Sequence, residues 1–84
     1  MDKERQHFEG GLAVGQRKAK ELELKIKGLL ESVRIHLDPL EKIEELEIDV
    51  AFYEMAELSK AWTLYMQTQA DIRKAKKILG RPLD

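Results

Sequence analysis

Cysteine is absent, and proline, tryptophan and serine number only two, one and two in 84 residues. Without cysteine there is no disulfide, no thiol nucleophile and no thiolate metal site. No apolar run approaches the roughly 20 residues needed to span a bilayer. The opening Met1-Asp2-Lys3-Glu4-Arg5 lacks the apolar stretch of a secretory leader, so a cytoplasmic chain is expected. Charge of one sign is also missing: 15 basic and 16 acidic residues give a formal net charge of -1. That excludes a uniformly basic coat for nucleic acid and a polyanionic tail. At 43% apolar residues the chain is not too polar to collapse, and its length suits one small domain.

What is present is helical periodicity. Leu12, Ala19, Ile26, Val33 and Leu40 recur every seven residues, and Gly15, Leu22, Leu29 and His36 follow three later. Glu21 with Lys25 and Glu23 with Lys27 are oppositely charged i,i+4 pairs beside that line. The pattern predicts a first helix over about 12–37. Gly10, Gly11 and Gly15 raise the cost of helix upstream, so residues 1–11 are expected to be a flexible or short helical arm.

Asp38-Pro39-Leu40-Glu41 reads as a helix start: an acceptor for a free N–H, a proline at the first helical position, and an acid three residues after the cap. Gly80-Arg81-Pro82 reads as a stop. Neither Gly nor Pro lies between Pro39 and Leu79, so the second helix is expected over about 39–79, roughly 60 Å long. A break between Glu47 and Asp49, giving a three-helix monomer, is the rival reading.

The expected fold is all-α: residues 12–84 form one antiparallel helical hairpin with a long second helix, assembling as a dimer, tetramer or higher oligomer into a helical bundle. A 60 Å rod exceeds what the first helix can cover, and residues 50–56 are apolar almost all round. Phe52, Met55, Leu58, Trp62, Tyr65 and Met66, with Leu24 and Ile35 on the first helix, are the candidate interface to another copy or another helical protein.

Charge is segregated along the chain. Residues 41–57 carry one Lys against seven acids, whereas residues 70–84 carry five basic and two acidic residues. With a tight turn at Asp38, Lys18 and Lys20 would lie beside residues 56–58 and face Glu54 and Glu57. Arg73, Lys74, Lys76, Lys77 and Arg81 form a basic amphipathic end, which carries an alternative reading as a nucleic-acid-associated accessory protein. Its apolar face is too short for a membrane surface.

Chemistry is sparse. His36 falls on the seven-residue seam as a half-buried packing or capping residue, and neither Ser32 nor Ser59 sits in a nucleophile motif. Glu41, Glu44 and Glu45, and Glu54 with Glu57, flank apolar positions as solvent-side residues do. Neither catalysis, a metal nor a cofactor is expected, and the function read from the sequence is a small helical protein–protein interaction module.

Overall fold

The computed structural model describes residues 3–81, with side chains from residue 9 onward. Two long helices make up nearly all of it: α1, Lys3–His36, and α2, Ile48–Leu79, joined by a segment holding a single 3-10 turn at Ile43–Glu45. They pack side by side as an antiparallel hairpin measuring 65 × 20 × 14 Å.

The seven-residue pattern of the first helix is its packing seam. Leu12 and Ala19 are buried, and Gly15, Leu22, Ile26, Leu29, Val33 and His36 are partly covered. Leu40, the next member of the series, is 92% exposed because the helix has ended. On α2 the inward line is Ala51, Glu54, Leu58, Ala61, Tyr65, Thr68, Ile72, Ala75 and Leu79, again at alternating three- and four-residue spacing. Small side chains let the helices approach: a Cβ built on Gly15 would sit 3.2 Å from Ile72 Cγ1.

Both helices begin elsewhere than the sequence pattern predicts. Residues 3–11 continue α1 without interruption and are not a separate arm; residues 1 and 2 lie outside the described residues. Each glycine costs about 1 kcal/mol of helix propensity. That cost is offset because Leu12 docks in the core and Glu9 is gripped by Arg81, holding the first turns against the end of α2.

The second helix starts at Ile48, not at Pro39. Asp38 Oδ1 accepts the Leu40 N–H at 2.9 Å and its carbonyl accepts the Glu41 N–H at 3.1 Å, so Asp38 closes a turn instead of capping a helix. The break thus falls where the rival reading put it, yet residues 39–47 supply no third packing helix. At the far end Gly80 adopts φ 70°, ψ 25°, and the Arg81 N–H returns to the Lys76 carbonyl at 2.8 Å. This is the stop that Gly80 and Pro82 predict.

These boundaries overturn the rod-length argument for a partner. At 34 and 32 residues the helices match, roughly 50 Å each. The eleven-residue connection also shifts the register. Gly15 meets Ile72, so Lys18 and Lys20 lie well away from Glu54, which pairs instead with Ser32 and His36.

The core is thin and lopsided. Its buried cluster is Leu12, Ala19, Ile72, Ala75 and Leu79, with Tyr65 against it, all toward the open end of the hairpin. Toward the turn, Ala51 and Ala61 are the buried apolar residues. The radius of gyration is 18.1 Å, against roughly 12 Å for a compact chain of this length. The accessible surface is 6901 Å², against roughly 5,200 Å².

Gly10 has open space where a Cβ would go, whereas Gly15 does not. Urea denaturation followed by circular dichroism should therefore show Gly10→Ala stabilised by up to about 1 kcal/mol. Gly15→Val should be destabilised by about 1–3 kcal/mol.

Candidate interaction surface

The most conspicuous feature of the hairpin lies on α2, beside its seam. Ile48, Phe52, Met55, Trp62 and Met66 form a second line at coiled-coil spacing, with Ser59 filling the gap. All five are exposed, Phe52 by 70% and Trp62 by 54%. The centre of this line is about 100° around the helix from the centre of the seam, taking 3.5 residues per turn. Across the hairpin, Leu30 on the adjoining flank of α1 and Leu37 just past its end are both exposed. Ala56, Thr63 and Ala70 border the line on its far side, leaving room for another helix to approach.

The candidate residues read from the sequence divide accordingly. Phe52, Met55, Trp62 and Met66 belong to the exposed line. Leu58 and Tyr65 do not: they are half-buried in the seam against α1, Tyr65 packing on the core cluster. Leu24 and Ile35 are exposed, each by 66%, on the side of α1 away from its seam. Ile48, Leu30 and Leu37 are not among those candidates. The spacing of Ile48 sets it on one face with Phe52 and Met55, but a helix start at Pro39 gives Ile43, Leu46, Val50 and Tyr53 a competing face, of which Ile43 and Leu46 precede α2.

The basic residues separate too. Arg81 Nη2 lies 2.5 and 2.6 Å from the Glu9 carboxylate oxygens, so its charge is engaged within the chain. Arg73 and Lys76 continue the exposed apolar line toward the C-terminus, while Lys74 and Lys77 point further round. The antiparallel fold gathers the basic start of α1 and the basic end of α2 at the open end. It leaves the acidic stretch 41–57 at the turn. Among the described residues Glu41, Glu44 and Glu45 form no ion pair. The Glu41 carboxyl is pushed above its ordinary value, chiefly by its hydrogen bond with the Glu45 side chain, then by burial and the charge of Asp38.

A polar knot occupies the seam near the turn. His36 Nδ1 lies 2.5 Å from Glu54 Oε1 and its Nε2 3.1 Å from Glu47 Oε2, while the Ser32 hydroxyl donates to Glu54 Oε2. A nucleophilic relay needs the imidazole to receive the serine proton. Here the serine is tied to the carboxylate and both ring nitrogens face acids, so the connectivity is that of a strut. Among the described residues no group of three or more His, Cys, Asp or Glu is arranged to hold a metal ion. No helix there is long and apolar enough to cross a membrane. No protein-family model, curated protein or solved structure matches the chain.

The knot has a pH signature. The Glu54 carboxyl is held below its ordinary value of 4.5, first by the Ser32 hydroxyl and then, against an opposing effect of burial, by His36. A depressed folded-state value means that this stabilisation is complete above about 4.5 and is lost as pH falls through the lower value. Urea midpoints measured from pH 7 to pH 3 should fall for the native chain. Glu54→Gln should start lower at pH 7 and fall less.

Proposed function

We propose that the chain is a helical interaction module without chemistry of its own, and that the exposed line on α2, widened by Leu30 and Leu37, docks on the helices of a partner. The observation that carries this reading is the line from Ile48 to Met66: five large apolar side chains, exposed and on one face of α2, interrupted once by Ser59. Scattered surface apolar residues are ordinary, but a contiguous apolar strip along a helix is rare on a monomer. Fully burying a side chain of this size contributes about 1.5–3 kcal/mol. Half-covered as these are, five of them offer roughly 5 kcal/mol per chain, which offsets part of the association cost of about 4–15 kcal/mol.

Support for the nucleic-acid reading is weaker. Its basic end has lost Arg81 to Glu9, and Arg73 and Lys76 share the line of the apolar residues. No aromatic platform lies among these bases.

Photocrosslinking tests docking without presupposing the partner. A photoreactive phenylalanine analogue at position 62, expressed in cells, should yield crosslinked protein, whereas the same analogue at position 71, on the other flank of α2, should not. Phe52→Asp should abolish the position-62 product while helicity is retained. A helical chain giving no product at either position contradicts the reading.

A further inference from the structure

Resting on that reading, we infer that the occupant of the exposed line is a second copy of this chain, with the two α2 helices antiparallel about a two-fold axis at the level of Glu57. The spacing of the line, counted with Ser59, is the same from either end. Ile48 and Met66 lie nine residues either side of Glu57, Phe52 and Trp62 five, and Met55 and Ser59 two. An antiparallel pairing at this level sets each side chain of the line opposite another member of it: Ile48 against Met66, Phe52 against Trp62, Met55 against Ser59. These are the mixed layers in which antiparallel helices interlock. A two-fold interface must be self-complementary, and this line meets that condition over its whole length.

Geometry agrees. A helix in a square four-helix bundle has two neighbours about 90° apart around its axis, and the seam and the exposed line on α2 are separated by about 100°. Ala56 and Thr63, bordering the line, leave the two helices free to come close.

Charge decides the direction. A parallel pairing would also put apolar residues together, but it would set the two acidic turns side by side and the two basic ends side by side. Residues 41–57 carry seven acids and one Lys in each copy, so that arrangement is repulsive. In the antiparallel pairing the line runs on from Met66 through Gln69 to Arg73 and Lys76, and these two reach the turn of the second copy. Arg73 stands about 24 Å along α2 from the level of Glu57, past the Ile48 start of the second copy's α2, about 14 Å from that level, where its turn begins. The turn that receives them is the one whose Glu41, Glu44 and Glu45 form no ion pair among the described residues.

The absence of native cysteine makes the test direct. Glu57→Cys and Lys77→Cys, both at exposed positions, are spin-labelled separately in the full chain. Label-to-label distances are measured at tens of micromolar, with sedimentation equilibrium alongside and circular dichroism to verify helix content. The antiparallel dimer gives about 20 Å at position 57, the outer breadth of two adjacent helices, and about 60 Å at position 77. A dimer with similar short distances at both positions overturns the antiparallel register. A monomer without dipolar coupling overturns the second copy as occupant. A product at position 62 containing only other proteins also overturns the second copy while upholding docking. Loss of crosslinking at position 62 in cells counts against the docking reading itself.

Discussion

Two helices in contact can each hide one stripe of side chains, and α2 carries two. The structure depends on that mismatch. Its seam runs from Ala51 to Leu79 and is covered by α1, while the line from Ile48 to Met66 lies a quarter-turn away and stays exposed, by 48% at Met55 to 70% at Phe52. The deficit is one of circumference. Helix length does not create it, since α1 and α2 are equally long.

The deficit is local. At the open end Leu12, Ile72 and Leu79 meet with Ala19 and Ala75, and the Glu9–Arg81 pair ties the helix ends together. Near the turn the fully buried apolar residues are Ala51 and Ala61, and half-buried Leu29, Val33 and Leu58 share the seam with Ser32, His36 and Glu54. Ile48, Phe52, Met55 and Trp62 of that half stand exposed. One end of the hairpin therefore has the buried cluster, while the other has a partly polar seam and an apolar outer line. The charges follow the same division, because antiparallel packing turns segregation along the chain into a molecule with a basic open end and an acidic turn.

Much of the architecture was legible in the sequence. The seven-residue series from Leu12 to Val33 is strongly apolar and identified the seam of α1, and Gly80 marked the end of α2 by backbone conformation alone. The seam of α2 was hidden because Ala51, Glu54, Ala61 and Thr68 are small or polar, so hydrophobicity drew attention to Phe52 and Trp62 instead. The start of α2 was misplaced because Asp38-Pro39 serves a tight turn as well as a helix start, and here the Asp38 side chain and carbonyl close the turn. The Ser32–His36–Glu54 knot joins residues 22 and 18 positions apart, and no local signal announces it.

Residue-resolved amide hydrogen exchange on the chain, diluted until it is monomeric, tests the central claim most directly, since exchange reports local opening. The account predicts that α2 residues 48–62, whose seam holds Ala51, Glu54 and Ala61, exchange much faster than residues 68–79, which pack on Leu12 and Ala19. Equal protection along the whole of α2 in the monomer would contradict it.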